Sequence, residues 1–101
     1  ETVYLATVAG AKVADPAADL AICLALHSAS RDIPLPTDFA AIGEVALSGD
    51  VRPVPGMNQR LGELARLGFR TVLVPRGAAQ SVNTQLKLIE VGSLADALTH
   101  T

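Results

Sequence analysis

The segment from Pro16 to Ser30 constrains this chain more than any other. Asp15 followed by Pro16 is a helix start: aspartate caps the unpaired N–H groups of a first turn, and proline is tolerated inside it. From there the residues are apolar nearly all round. Ala18, Ala21, Ala25 and Ala29 form a stripe of small side chains at helical spacing, while Leu20, Ile22, Cys23, Leu24 and Leu26 spread over the rest. A helix of this kind is buried on more than one side. The alanine stripe predicts a close approach to a sheet or to a second helix.

The flanking segments supply the layer such a helix needs. Val3 to Ala9 is β-rich and predicts a strand, with Gly10 and Lys12 in the loop after it. Pro34, Leu35, Pro36 and Thr37 make a stiff connection. Phe39 to Leu47 predicts a strand interrupted by Gly43. Ser48, Gly49 and Asp50 form a turn, and Val51 to Val54 returns as the second arm of a hairpin, which Pro53 ends early or confines to an edge. Met57 to Leu67 predicts a second helix, with Met57, Leu61, Leu64, Ala65 and Gly68 on one face and Gln59, Gly62 and Arg66 opposite. Gly68 is its stop. Arg70 to Val74 predicts a strand ended by Pro75. Residues 76–84 are polar and predict a mobile loop. Leu86 to Val91 is a further strand, and Ser93 caps a final helix through Leu98. The predicted order is β-α-β-β-α-β-β-α, an α+β fold in one domain over residues 1–101.

With 101 residues the chain can bury roughly 60–70% of the surface it exposes unfolded. Half of it is hydrophobic but only 3% is aromatic, so Ala, Val, Leu and Ile must build the core. That balance also fits apolar surface buried against a partner. The longest apolar run, Leu20 to Leu26, falls far short of the ~20 residues of a membrane span. Glu1 leads straight into a strand-like pattern with no basic segment, so no signal peptide is expected. Cys23, the single cysteine, leaves no disulfide framework and no cysteine zinc site within the chain, and points to a reducing, cytoplasmic compartment.

The net charge of −2 gives no global case for nucleic acid, but its distribution is uneven. Lys12 and Arg31 stand against Glu1, Asp15, Asp19, Asp32, Asp38, Glu44 and Asp50 in the first half. Arg52, Arg60, Arg66, Arg70, Arg76 and Lys87 stand against Glu63, Glu90 and Asp96 in the second, giving −5 and +3.

Few residues suggest chemistry. His27 and Ser28 are adjacent, and neighbours in sequence do not face each other on a helix. His27 is therefore assigned to packing or surface, and Ser48 to a turn. Cys23 lies in an apolar run and is assigned to the core. Asp15 and Asp19 are accounted for by the favourable field of a helix N-terminus. His100 sits at the chain's frayed end. No metal-ligand spacing and no phosphate-cradling glycine loop is present, since Gly43, Gly49, Gly56 and Gly62 do not compose one.

Three stretches together resemble the Lon proteolytic domain: ADPAADLA (Ala14 to Ala21), GEVALSGDVRPVPG (Gly43 to Gly56) and RLGFRTVLVP (Arg66 to Pro75). With SRDIPLP (Ser30 to Pro36), their wording looks more like the C-terminal Lon-like domain of the RadA family of bacterial DNA repair proteins than like Lon itself. The resemblance implies a Lon-type fold, and it implies where the Lon serine and lysine would stand. The serine position, between a proline and an alanine at the start of the long helix, is Ala17. The lysine position, two residues after a glycine, is Asn58. A methyl group cannot attack a carbonyl, and an amide cannot serve as general base near neutral pH. The Gly43-Glu44 pair is mainly structural in such domains.

The resemblance therefore implies a pseudo-protease with no catalytic residue and no cofactor of its own. It would be a scaffold in a ring-shaped homo-oligomer, a hexamer in the parent protein, that binds DNA, acts with RecA and promotes branch migration. ATP, Mg and Zn would belong to the ATPase and zinc-finger parts of that parent. Arg52, Arg60, Arg66, Arg70 and Arg76 are the candidates for contact with nucleic acid or a neighbouring subunit. The competing readings are a Lon-type serine peptidase, opposed by Ala17 and Asn58, and a generic small partner-binding domain, which leaves the three joined motifs unexplained.

Overall fold

The computed structural model describes residues 15–101. The expected strand over Val3 to Ala9, and Lys12 in its loop, lie outside the described residues. Elements follow in the order: a 3-10 turn at Pro16–Ala18, α1 (Asp19–Arg31), β1 (Phe39–Ala41), β2 (Glu44–Val45), β3 (Val51–Arg52), α2 (Met57–Arg66), β4 (Thr71–Pro75), a second 3-10 turn at Ala78–Ser81, β5 (Lys87–Val91) and α3 (Leu94–Leu98).

Strands β1, β4 and β5 form a parallel sheet with β4 in the middle, and β2 and β3 form a separate antiparallel pair. Phe39, Thr71 and Lys87 lie side by side at one end of the sheet, and Ala41, Leu73 and Ile89 lie level further along it. Alternate residues of each strand face opposite ways. On one face Phe39, Leu73 and Val91 pack with Leu20 and Leu24 of α1 and Ala97 of α3. On the other, Val72 and Val74 pack with Leu61 of α2, Ile42 and Ala17. Helices thus cover both faces, which is why TVLVP of β4 runs apolar without alternation. This layered parallel sheet is an α/β arrangement and corrects the expected α+β class.

The expected caps are present. Asp15 Oδ1 accepts from the Ala17 N–H (3.0 Å), and Ser93 Oγ accepts from the Asp96 N–H (3.0 Å). After α2, Gly68 adopts a φ of 96°. The Gly68 N–H then donates to the Ala65 carbonyl and the Phe69 N–H to the Leu64 carbonyl, each at 3.1 Å. This is the paired closure that a left-handed glycine permits.

Three expectations need correction. The strand expected over Phe39 to Leu47 is two strands in different sheets, so the observed order after the first helix has three strands before α2. The break falls at Gly43, whose N–H donates to the Ala17 carbonyl and whose carbonyl accepts from the Leu20 N–H, both at 3.0 Å. The alanine stripe does not define the buried face of α1: Leu20, Leu24, Ala25 and Ser28 are buried, whereas Ala29 is exposed. A buried leucine contributes about 1.5–3 kcal/mol, far more than a methyl group, so the leucines orient the helix. Finally, residues 76–84 are not an open loop. Their 3-10 turn brings Ala78 and Val82 against the α2 side of the core, and Glu90 Oε2 accepts from the Ala79 N–H (3.0 Å).

Candidate functional site

The carboxyl ends of the parallel strands are where an open α/β sheet usually offers a crevice. Here that end carries the start of α1, the β2–β3 hairpin, the first turn of α2 and the segment 76–81. The Asp19 carboxylate reaches from α1 to accept the Val45 N–H (3.1 Å), so it holds the hairpin as well as favouring the helix start. The hairpin is also tied to the far side of the sheet: the Val51 N–H donates to the Gly92 carbonyl (3.0 Å), and the Leu94 N–H donates to the Gly49 carbonyl (2.7 Å).

Ala17, the position implied for a nucleophile, is 5% exposed and sits in the apolar cluster of Ile42, Leu61, Val72 and Val74. Asn58, the position implied for a base, is exposed on the first turn of α2. The polar link between these two elements is an ion pair the sequence did not reveal. Arg60 Nη1 lies 2.9 Å from Asp15 Oδ2 and Nη2 lies 3.3 Å from Oδ1, while Arg60 Nε donates to the Pro55 carbonyl (2.9 Å). Both side chains are about 30% exposed, which puts such a pair at ~1 kcal/mol after solvent screening. Its two partners are 45 residues apart in sequence, and no local pattern signals it.

The five candidate arginines do not form one surface. Arg60 is engaged by Asp15, and Arg66 by Glu63 one turn earlier on α2. Arg70 precedes β4 and Arg76 follows it, so they stand at opposite ends of the strand, ~20 Å apart. Arg52 lies opposite Glu44 in the hairpin register. Arg76 lies flat over Gly92, where an added Cβ would come within 2.8 Å of its guanidinium. Since Gly92 also receives the Val51 N–H, Arg76 and the strand that carries Arg52 meet at the same glycine.

Other polar residues are accounted for locally. Ser28 Oγ donates to the Ile33 carbonyl just beyond α1, and Ser48 Oγ donates to Asp50 Oδ2 (3.0 Å) within the hairpin turn. Burial, and then the Asp19 carboxylate, push the Cys23 thiol above its ordinary value, which disfavours the reactive thiolate. Among the described residues no three His, Cys, Asp or Glu side chains gather to hold a metal ion, and no buried side-chain nitrogen or oxygen lacks a partner. Among them, too, no helix is long and apolar enough to cross a membrane.

A family model described as subunit ChlI of Mg-chelatase matches residues 2–78. Several bacterial proteins named DNA repair protein RadA are similar to the chain. That of Mycolicibacterium smegmatis is 48% identical over 95 residues, covering 94% of this chain and 20% of the relative. That of Mycobacterium tuberculosis H37Rv is 53% identical over 73 residues, 72% of this chain and 15% of the relative. That of Escherichia coli K12 is 40% identical over 100 residues, 98% of this chain and 22% of the relative. The chain thus spans between 15% and 22% of the length of these relatives.

Proposed function

The chain belongs to the ChlI family, named for a subunit of Mg-chelatase, and we propose that it is a non-catalytic, Lon-like scaffold in a RadA-type DNA repair protein. It supports a ring-shaped homo-oligomer and helps to place that ring on DNA. The DNA repair setting rests on the relatives' shared name. The scaffold role rests above all on the burial of Ala17 among apolar side chains. ATP, magnesium and zinc belong, in this reading, to other parts of a longer protein, and this domain supports that protein's hexamer as it acts with RecA in branch migration.

Catalytic silence is the first expected outcome. The purified chain cleaves no unfolded casein and takes up no serine-directed covalent probe. Ala17→Ser alone changes neither result, because Asn58 supplies no base. Turnover by the unmodified chain, freed of contaminating protease, would sink the scaffold reading and revive the peptidase alternative.

The second outcome concerns DNA. Arg60 and Arg66 have carboxylate partners in the same chain, and Arg70 stands at the other end of β4 from Arg76, so Arg52 and Arg76 are assigned the phosphate contacts. Phe39 is buried and Phe69 stands at the other end of β4 from Arg76, so among the described residues no aromatic ring accompanies these two arginines and the contact is sequence-independent. In a salt titration of duplex binding by the assembled longer protein, Arg52→Ala and Arg76→Ala each lower the slope of log K against log salt by about 0.9, the value for one phosphate. Arg66→Ala leaves it unchanged. An unchanged slope in all three variants would remove this surface from the DNA path.

A further inference from the structure

We propose that the tip of the β2–β3 hairpin is the plug of a head-to-tail contact between copies of this chain, received at the opposite end of the molecule around Leu67. This rests on the ring reading and assigns the surfaces that would make it.

Leu47 is fully exposed at the tip of the hairpin, in a turn where polar residues and glycine are the usual choice. Its backbone is held from several sides. The Ala46 N–H donates to the Asp50 carbonyl (2.9 Å), the Gly49 N–H donates to the Ala46 carbonyl (2.8 Å), and Gly49 takes the left-handed φ of 92° that closes such a loop. The Leu94 N–H donation to the Gly49 carbonyl fastens the tip to the body of the domain. An apolar side chain on so fixed a backbone loses little freedom on docking.

Leu67, at the C-cap of α2, is also largely exposed. It lies just ahead of β4, at the amino end of the parallel sheet, whereas the hairpin follows β1 at the carboxyl end. Charge pairs these two ends. Glu44 and Asp50 stand against Arg52 alone on the hairpin. Arg66, Arg70 and Lys87 stand against Glu63 and Asp38 around Leu67. The Lys87 N–H donates to the Arg70 carbonyl and the Arg70 N–H to the Asp38 carbonyl, both at 2.9 Å, which keeps Asp38, Arg70 and Lys87 together. The hairpin is net negative and the receiving end net positive. Leu26 and Ile33 are exposed as well, but the charges beside Ile33, Arg31 and Asp32, cancel and select no partner, whereas those around Leu67 leave a net positive charge. A contact between unlike ends is heterologous, so it propagates from copy to copy and closes where the rotation per step permits a ring. The charges steer and orient, and the leucines supply the dry centre.

The test follows the assembly of the 101-residue chain by light scattering and sedimentation over a range of concentrations. Leu47→Glu, on an exposed side chain, is expected to raise the concentration at half-assembly by about tenfold or more, equivalent to 1.4 kcal/mol. Its thermal midpoint should match the parent's, which separates lost contact from lost fold. Asp50→Arg and Arg70→Glu each weaken assembly, and the double variant recovers most of the loss. Assembly that forms but responds to none of these changes would overturn this contact and leave the ring reading standing. A chain that stays monomeric at every concentration would overturn both.

Discussion

Leu73→Ala is expected to destabilise the domain by about 2–5 kcal/mol, the range for removing a large aliphatic side chain from a core that only partly collapses. Leu73 sits at the middle of β4 with no solvent exposure. It stands between Ala41 of β1 and Ile89 of β5 and packs in the cluster that holds Leu20, Leu24, Phe39, Val91 and Ala97. Strands pin the site on both sides, and two helices roof it. No single element can move in to fill the void without breaking sheet pairing. A domain of this size has only about 5–15 kcal/mol in total, so the variant should be partly unfolded well below the parent's midpoint. Urea unfolding checks this: the midpoint falls while the slope, which tracks the surface exposed on unfolding, stays close to the parent's. A loss below about 1 kcal/mol would mean that β4 is not the central buried strand.

Local chemistry made much of this fold legible, and distant contacts hid the rest. Asp15, Gly68 and Ser93 act within a few residues of themselves, so their cap and stop roles follow from sequence spacing alone. The hairpin was legible for the same reason, since Ser48, Gly49 and Asp50 make their own turn. Gly43 was read as an interruption within one strand. Its separation of two sheets depends on Ala17, Leu20 and Val51, which surround it from elsewhere in the chain. The segment 76–84 looked mobile because its residues are polar, yet Glu90 of the neighbouring strand receives the Ala79 N–H. Among the candidate arginines, charge clustering in sequence suggested a shared surface. The sheet instead sends Arg70 and Arg76 to opposite ends, and the long-range partner Asp15 engages Arg60. The three joined motifs suggested a RadA-type protein, and relatives of that name are found, because a motif match needs residue order and not tertiary contact.

Gly43→Ala is expected to cost about 1–3 kcal/mol, the range for overpacking a filled core. A Cβ at this position would stand 2.8 Å from Val51 Cγ1, with Leu20 and Pro75 atoms at an ordinary 3.6 Å. Val51 cannot turn away easily: a β-branched side chain has few χ1 options, and this one is 7% exposed. The strain therefore passes to the backbone, where the Val51 N–H bond to Gly92 and the Gly43 bonds to Ala17 and Leu20 fix the hairpin on the sheet. The double variant Gly43→Ala/Val51→Ala isolates this cause. Removing the Val51 methyl groups relieves the clash, so the pair should be less destabilised than the sum of its single changes by about 1 kcal/mol or more. Strict additivity would place the cost in the backbone of residue 43 itself rather than in its contact with Val51. The same junction aims Leu47, so under the proposed head-to-tail contact Gly43→Ala should also weaken assembly at temperatures where the domain remains folded, and Val51→Ala in the double variant should restore part of it.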